Sequence, residues 1–265
     1  MTGVLPIAAR NGARAGRQAT KAVVLAGGRG TRLAPYTSIL PKPLMPIGER
    51  SILEVVMEQL ASCGIVDITL CVGYLSHLIE AVLEHGAAHD TEITYVREEA
   101  ALGTAAPLRH VPDLDDTFIA MNGDVLTTLD YNDLIRHHRS AGNLLTIATR
   151  VRSIKIDYGV LRLGSNGNGA RVDGYEEKPE LTWTVSMGIY ALEPDALAYI
   201  PPTGYFDVPD LVQALLAARE PVGAYHYDGL WFDIGRPQDY EQAVDAWLEA
   251  PAAEVDDIET AVRLS

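Results

Sequence analysis

The chain has 265 residues and carries 36 acidic side chains against 21 lysines and arginines, a formal net charge of −15. This excess of negative charge argues against nucleic acid and anionic membranes as partners, because both would repel the protein. No apolar run approaches the roughly 18 residues of a membrane-spanning helix. The two cysteines, Cys63 and Cys71, lie in apolar surroundings without the spacing of a metal site. We therefore expect reduced thiols, a cytoplasmic location and one large α/β domain.

The two ends of the chain differ in composition from the middle. Residues 1–20 combine arginines with glycine and alanine and are too polar for the core of a secretory signal. We expect a disordered extension there. Residues 250–265 are acidic and weakly patterned, and we expect an acidic tail there, either loose or forming an interface segment. A single folded domain is predicted over residues 21–249.

Strands and helices alternate through residues 21–150. The hydrophobic pattern predicts strands at 21–26, 68–72, 93–96, 117–121 and 144–149. It predicts helices at Ile52–Ser62, 76–85, about 105–110 and about 131–140. Such alternation is typical of an α/β fold with a doubly wound, mainly parallel sheet, whose ligands bind beyond the carboxyl ends of the strands.

Strands dominate beyond about residue 155. The pattern predicts strands at 158–163, 170–176, 184–191, 222–227 and 230–233, with a hairpin-like turn over 164–169. Helices are predicted near 194–199, 208–218 and 237–249. We interpret residues 151–249 as a β-rich second half of the same domain.

The first predicted strand runs directly into Gly27, Gly28 and Gly30, which are followed by Arg32 and Lys42. Glycines at the carboxyl end of a strand let the backbone approach a ligand and point N–H groups at an anion. A proline on each side of Lys42 restricts the local backbone, so the lysine is presented from a stiff segment. A glycine cradle with two fixed cations predicts a triphosphate site.

Two other glycine-loop sites are excluded by the spacing. A dinucleotide-binding fingerprint needs a third glycine where this chain has Leu33, and a P-loop needs a lysine that does not follow Gly30. Alone, Gly-Gly-x-Gly is also compatible with a tight strand–helix turn that has surface charges. The length and specificity of the whole block favour the phosphate site.

Residues 25–48 resemble the signature of the sugar-1-phosphate nucleotidyltransferases, the NDP-sugar pyrophosphorylases. The matching pattern is Gly-Gly-x-Gly-Thr-Arg-Leu followed by Pro-Lys-Pro-Leu, and the resemblance continues to about Tyr240. It implies a Rossmann-like nucleotidyltransferase fold in which residues 21–150 bind the nucleotide and residues 151–249 bind the sugar. The chain leaves no room for the C-terminal β-helix of some relatives, so we expect none.

The reaction that this resemblance implies joins a nucleoside triphosphate to a sugar 1-phosphate, giving an NDP-sugar and pyrophosphate. We expect a homo-oligomer, a dimer or tetramer. The resemblance assigns catalytic roles to Arg32 and Lys42. It implies nucleotide contacts for residues of the glycine loop and of a base-reading loop, namely Leu25, Ala26, Gly27, Gly28, Gly30, Thr31, Leu102, Gly103 and Thr104.

Two aspartates end apolar strands, Asp124 in Asn-Gly-Asp and Asp233 in Trp-Phe-Asp. Mg²⁺ takes few protein carboxylates and keeps water and phosphate oxygens as its other ligands. Each aspartate alone is also compatible with a turn or a helix cap. The resemblance implies that together they bind Mg²⁺ as the cofactor.

On the sugar side, Glu177-Lys178-Pro179 resembles a motif whose carboxylate accepts bonds from sugar hydroxyls and whose lysine holds the sugar phosphate. Tyr158-Gly159 resembles the segment whose glycine backbone contacts the sugar. Ser186 stands where the family usually has asparagine. We expect Ser186 at the sugar, and this departure leaves the identity of the sugar open.

The segment Leu102–Leu108, with Glu98 and Glu99 ahead of it, is similar to that of guanylyltransferases acting on mannose or heptose 1-phosphates. GTP is therefore the expected nucleotide. A glucose-1-phosphate thymidylyl- or uridylyltransferase stays open, as does a catalytically silent regulator that binds NDP-sugar. A cytidylyltransferase acting on a non-sugar phosphate would share the first half, but the sugar-side motifs count against it.

Overall fold

The computed structural model describes residues 21–83, 91–164 and 171–249. Several predictions fall on other residues: the extension at 1–20, the tail at 250–265, the end of the helix at 76–85 and the turn after residue 164. They lie outside the described residues.

Thirteen strands are described. In chain order they are β1 (Lys21–Ala26), β2 (Pro46–Ile47), β3 (Arg50–Ser51), β4 (Asp67–Val72), β5 (Glu92–Arg97), β6 (Phe118–Asn122), β7 (Val125–Thr127), β8 (Leu145–Lys155), β9 (Gly159–Gly164), β10 (Arg171–Glu177), β11 (Glu180–Leu192), β12 (Val222–His226) and β13 (Trp231–Asp233).

The helices fall into two kinds. The α-helices are α1 (Ile52–Ser62), α2 (Ser76–Leu83), α3 (Tyr131–Ala141), α4 (Val208–Ala217) and α5 (Pro237–Glu249). Short 3₁₀ turns cover Thr31–Leu33, Tyr36–Ser38, Lys42–Leu44, Ala106–His110 and Pro194–Tyr199.

Seven strands form the central sheet in the order β12-β8-β11-β6-β1-β4-β5. β1 is parallel to both of its neighbours, β4 and β6, and β5 is parallel to β4. β11 is antiparallel to β6 and to β8, and β12 is parallel to β8. Only β11 therefore runs against the other strands of this sheet, which confirms the predicted mainly parallel α/β fold.

Helices cover both faces of the sheet, as in a doubly wound fold. Along β1, Ala22 and Val24 belong to the core shared with α1, α2 and α3, whereas Val23 packs in the core shared with α4. Successive side chains of a strand point to opposite faces, so an uninterrupted apolar run can be buried on both sides. A third cluster, around Leu33 and Trp247, joins the glycine loop to α5.

The structure differs from the sequence-based elements in several places. The segment near 194–199, predicted as a helix, is the 3₁₀ turn Pro194–Tyr199, because it is short and begins with a proline. The short strands β2, β3 and β7 are absent from the prediction. The segment near 105–110 is a 3₁₀ turn because it is short, carries Pro107 and gives the N–H groups of Ala105 and Ala106 to the carbonyl of Phe206. β8 and β11 are longer than predicted and pair with each other as far as Lys155 and Glu180. Their outer residues are exposed on both faces, so no apolar alternation marks them.

No helix in residues 21–83, 91–164 or 171–249 has both the length and the apolar character needed to cross a membrane.

Ser51 caps α1 and supplies the first prediction. Its hydroxyl accepts from the N–H of Glu54 at 3.2 Å, and the Glu54 carboxylate accepts from the N–H of Ser51 at 2.7 Å. We expect Ser51→Ala to lower the free energy of unfolding by about 1 kcal/mol, since the capping box loses one of its two bonds. Urea denaturation measures the change.

The matched control for this variant is Ser62→Ala at the other end of α1, where the hydroxyl donates to the carbonyl of Gln59 at 2.8 Å. A change within about 0.5 kcal/mol is expected there, because the Gln59 carbonyl also accepts from the N–H of Cys63 at 3.3 Å and so keeps a partner. An unfolding midpoint for Ser51→Ala equal to that of Ser62→Ala would contradict the capping role.

Candidate active site

The order of the strands places a crevice at the carboxyl ends of β1 and β6. From β1 the chain builds outwards through β4 and β5, then returns to the other side of β1 as β6. Ligands of open α/β sheets bind at such a switch point. The N–H of Gly123, just after β6, donates to the carbonyl of Leu25 at 2.9 Å. The glycine loop and the Asn-Gly-Asp segment therefore meet at this edge.

The glycine loop turns back over Lys42. Gly30 has a φ of +61°, and a Cβ there would lie 3.0 Å from Cγ2 of Thr37 and 3.1 Å from Cβ of Lys42. The Thr37 hydroxyl donates to the carbonyl of Gly30 at 2.8 Å and holds this turn. By contrast, a Cβ at Gly28 would meet no atom within 4 Å. The loop thus leaves open space beside Gly28 and is closely packed at Gly30.

Lys42 lies in the 3₁₀ turn Lys42–Leu44 and is only 7 % exposed. Its ammonium forms an ion pair with Oδ2 of Asp124. A buried charge is costly without an opposite partner. The pair therefore links the loop after β1 to the end of β6.

Asp233 joins Asp124 through a short antiparallel pair of strands. β13 pairs with β7 so that Asp233 lies opposite Val125, and the N–H of Ile234 donates to the carbonyl of Asp124 at 3.4 Å. Desolvation by the surrounding atoms raises the pKa of Asp233, and the charge of Asp124 raises it further. Lys42 and Arg32 lower the same pKa, so these cations also lie near the two carboxylates.

The two aspartates fit a hard cation such as Mg²⁺. Among the described residues no group of three or more histidine, cysteine or acidic side chains could hold a metal. Oδ1 of Asp124, however, is buried without a hydrogen-bond partner in the described structure. An unsatisfied carboxylate oxygen beside a second, repelled carboxylate suits a cation that needs few protein ligands. Asp124 and Asp233 are the residues that would hold it.

Arg32 lies at the rim of the same site. It belongs to the 3₁₀ turn Thr31–Leu33 and is exposed. Its guanidinium lies 3.6 Å from the place that a Cβ of Gly235 would occupy, just beyond Asp233. An exposed cation beside a buried ion pair can bind an anionic ligand without first losing a protein partner.

Ser186 lies near the carboxylates at a bulge of β11. The register of β11 shifts between Ser186 and Tyr190, and the Ser186 hydroxyl donates to the Tyr190 hydroxyl at 3.2 Å. Burial raises the pKa of Tyr190, and the charge of Asp233 adds to the rise. Gly188, with a φ of +75°, approaches Asn122 so closely that a Cβ would lie 2.7 Å from its Nδ2. The bulge thus borders the end of β6.

Four other sugar-side residues lie elsewhere in the structure: Tyr158, Gly159, Glu177 and Lys178. They are exposed at the end of the ribbon formed by β8–β11 and β9–β10. Between Glu180 and Ser186 the strand alone spans about 20 Å. Within the described residues, the hydrogen bonds of this group are local: the Tyr175 hydroxyl to the Glu177 carboxylate, and the Lys178 N–H to the Tyr158 carbonyl at 3.3 Å.

Glu98 is a candidate that sequence reasoning did not assign to the site. It follows β5 directly, and its carboxylate accepts from the N–H of Leu102 at 3.3 Å. A side chain at Gly27 would collide with this carboxylate. Burial raises the pKa of Glu98, and the Leu102 N–H partly offsets the rise. The signal in the sequence that could have identified Glu98 is the acidic pair Glu98-Glu99 at the carboxyl end of an apolar strand.

This geometry agrees with the comparison of the chain with known families. The profile of the Nucleotidyl transferase family matches residues 21–250. The chain belongs to this family.

Two relatives illustrate its range. The chain is 33% identical over 244 residues to a UTP–glucose-1-phosphate uridylyltransferase of Synechocystis sp., covering 84% of this chain and 62% of the relative. It is 34% identical over 230 residues to a mannose-1-phosphate guanyltransferase of Yarrowia lipolytica, covering 83% of this chain and 62% of the relative. The chain thus spans about 62% of the length of these two nucleotidyltransferases.

The fold is shared with solved structures. The crystal structure of HddC from Yersinia pseudotuberculosis superposes with a TM-score of 0.66 at 25% identity, covering 86% of this chain and 99% of that one.

The charge at Asp233 gives the second prediction. Because its pKa in the fold is raised, the ionised form weakens the metal-free protein at neutral pH, and Asp233→Asn removes this cost. We expect the variant to have a higher Tm than wild type at pH 7 in EDTA. The gain should vanish below about pH 3, where the wild-type carboxyl is neutral in both states. Calorimetry over a pH series measures it.

The control for Asp233→Asn is Asp245→Asn on the exposed side of α5, which should leave Tm unchanged at every pH. Adding Mg²⁺ should raise the Tm of wild type more than that of Asp233→Asn, since binding to the folded state stabilises it. A lower Tm for Asp233→Asn than for wild type in EDTA at pH 7 would contradict the electrostatic account.

Proposed function

We propose that the protein transfers a nucleotidyl group from a nucleoside triphosphate to a sugar 1-phosphate and releases pyrophosphate. The observation that carries this proposal is the partly buried Lys42–Asp124 ion pair beside Asp233, at the glycine loop that follows β1. Cations and adjacent carboxylates at this position match the needs of phosphoryl chemistry, which depends on positioning and charge neutralisation. The names of the two relatives support the same reaction class.

In the proposed reaction, a phosphate oxygen of the sugar 1-phosphate attacks the α-phosphorus of the nucleotide. The new O–P bond forms as the bond to the bridging oxygen breaks, and the electron pair leaves with pyrophosphate. No protein nucleophile is required. Lys42 holds the phosphates near the α-phosphorus, and Arg32 neutralises charge on the leaving pyrophosphate. Mg²⁺, when bound by Asp124 and Asp233, supplies further positive charge to the phosphates.

The sugar side of the proposal divides between two parts of the structure. Ser186 lies at the bulge bordering β6 and can offer its hydroxyl to the sugar. Lys178 and Glu177 lie at the end of the ribbon, so their proposed contacts with the sugar phosphate and hydroxyls require that end to approach the carboxylates when substrate binds.

A silent, NDP-sugar-binding regulator is the second candidate function. Such a protein should lack one of the groups that act on the phosphates. Lys42, Arg32, Asp124 and Asp233 are all present and gathered at one edge of the sheet, which favours the enzyme.

For the nucleotide we propose GTP. One of the two relatives is named a uridylyltransferase and the other a guanyltransferase, so similarity alone does not identify the nucleotide. Glu98 favours guanine, because a carboxylate accepts hydrogen bonds only and guanine presents two neighbouring donors, N1–H and the 2-amino group. Uracil and thymine present one donor flanked by carbonyl oxygens, which a carboxylate repels.

For the sugar we propose a mannose- or heptose-type 1-phosphate, supported by the name of the Yarrowia relative. The glucose-1-phosphate uridylyl- or thymidylyltransferase alternative rests on the Synechocystis relative and on the departure at Ser186. A cytoplasmic location and a homo-oligomeric dimer or tetramer stay predictions from the sequence, as does the division into nucleotide and sugar halves.

The third prediction tests the cations. We expect Arg32→Ala and Lys42→Ala to lower kcat by roughly 10²–10³, since each removes a positive charge acting on the phosphates. Pyrophosphate release with GTP and mannose 1-phosphate measures it. The matched control is Arg29→Ala, which removes a positive charge from the same loop. The Arg29 guanidinium lies 5.4 Å from the ring centre of Tyr74, and we assign it no role on the phosphates. If either variant folds and has the same kcat as Arg29→Ala, the catalytic role of that residue is wrong.

The fourth prediction concerns the base. We expect Glu98→Gln to lower the ratio of kcat/KM for GTP to that for UTP by about 10- to 100-fold, the equivalent of one or two lost charged hydrogen bonds. Glu99→Gln, at the exposed neighbouring position, should leave the ratio within about twofold of wild type. A wild-type preference for UTP or dTTP over GTP would overturn the choice of nucleotide without affecting the proposed reaction.

A further inference from the structure

The base-reading loop, the segment Leu102–Leu108, is held by a segment about 100 residues further along the chain. Hydrogen bonds join residues 102–106 to residues 206–208. Three of them join backbone groups: the N–H of Phe206 donates to the carbonyl of Leu102 at 2.8 Å, and the N–H groups of Ala105 and Ala106 donate to the carbonyl of Phe206 at 3.0 Å each. Two run from Thr104 to Oδ1 of Asp207, one from its N–H at 2.9 Å and one from its hydroxyl at 3.0 Å. In the last, the N–H of Val208 donates to the Thr104 hydroxyl oxygen at 2.9 Å.

Thr104 is fully engaged in this contact. Its hydroxyl donates to Asp207 and accepts from the N–H of Val208, and its own N–H donates to Asp207. A threonine hydroxyl has one hydrogen to donate. That donor is committed to Asp207, so Thr104 shapes the loop rather than offering a donor to a ligand.

Gly103 makes the close approach of the two segments feasible. Its φ is +90°, and a Cβ would lie 2.6 Å from the carbonyl oxygen of Phe206. The N–H groups of residues 104–106 all point at residues 206 and 207. Within the described structure, the N–H and carbonyl of Gly103 make no hydrogen bond. The Gly103 peptide is therefore the part of the loop that can face a base, together with the Glu98 carboxylate.

Asp207 is itself well anchored. It precedes α4, its N–H donates to Oδ2 of Asp210 at 3.0 Å, and its own Oδ2 accepts from the hydroxyl of Tyr205 at 2.6 Å. Burial raises the pKa of Asp207, but the hydrogen bonds from Tyr205 and Thr104 outweigh this effect and lower it overall. Leu211 buries α4 in the core against the sheet. The carboxylate thus stays charged and attached to a rigid helix.

We propose that Asp207 is a positioning residue for base selection. Through Thr104 it holds the base-reading loop so that the Gly103 peptide and the Glu98 carboxylate present one fixed set of hydrogen-bonding groups to the base. A preorganised site rejects the wrong base because it cannot rearrange to satisfy it. This inference rests on the proposed function and adds to it a residue of the second half, outside the glycine and base-reading loops.

The test compares Thr104→Val, which keeps the shape and removes the hydroxyl, with Thr104→Ser, which restores it. We expect Thr104→Val to raise KM for GTP about tenfold and to lower the GTP-to-UTP ratio of kcat/KM about tenfold, with kcat within about twofold of wild type. Thr104→Ser should recover most of both losses. Thr117→Val, which removes a hydroxyl that donates to the Glu193 carboxylate just before β6, is the matched control and should stay within about twofold.

Binding of inorganic tripolyphosphate separates this role from a general structural one, because that ligand occupies the phosphate site and has no base. Calorimetric titration should show weaker GTP binding to Thr104→Val and unchanged tripolyphosphate binding. Equal losses for both ligands, or unchanged GTP selectivity, would overturn the proposal. If Thr104→Val does not fold, Asp207→Asn is titrated instead, with an expected loss of about threefold for GTP alone.

The wild-type protein distinguishes failure of this inference from failure of the proposed function. Wild type that binds GTP and tripolyphosphate equally well has no base recognition, which overturns the role of Asp207 while leaving phosphate binding intact. Wild type that binds neither ligand overturns the proposed function itself.

Discussion

The partly buried ion pair between Lys42 and Asp124 is the interaction on which the site depends. The buried ammonium of Lys42 would carry a large desolvation cost without a partner, so the loop after β1 and the end of β6 must be brought together. The turn at Gly30, the bond from Thr37 and the prolines around Lys42 all serve to fix this approach. The pair also holds a cation and a carboxylate ready at the switch point of the sheet.

The site is electrostatically unbalanced, as a site for an anionic ligand and a cation should be. Desolvation and the charge of Asp124 raise the pKa of Asp233, and Lys42 and Arg32 offset only part of this rise. Oδ1 of Asp124 is left without a hydrogen-bond partner in the described structure. Such groups weaken the empty protein and strengthen binding, because a ligand with matching charges removes the cost.

The two halves of the domain meet at more than one place. β11, the reversed strand, brings the bulge at Ser186 beside β6, and α4 brings Asp207 beneath the base-reading loop. Along the outer part of the β8–β11 pair, the Arg152 guanidinium lies 5.3 Å from the ring centre of Trp231. Trp183 of β11 and Leu161 of β9 are exposed on this ribbon. A two-stranded ribbon gains little stability of its own, so its position can respond to what it contacts.

Local signals in the sequence determined the alternating strands, the exact extent of α1, the glycine loop and the two aspartates, because each depends on residues that are neighbours in the chain. The apolar run of β1 and the glycines that follow it indicate a strand and a phosphate loop without knowledge of any partner. Only the tertiary structure decided which segments Glu98 and Asp207 contact, the length of the ribbon and the position of Lys178 at its end. These depend on contacts between segments far apart in the chain, and no periodicity records which distant backbone a side chain will meet.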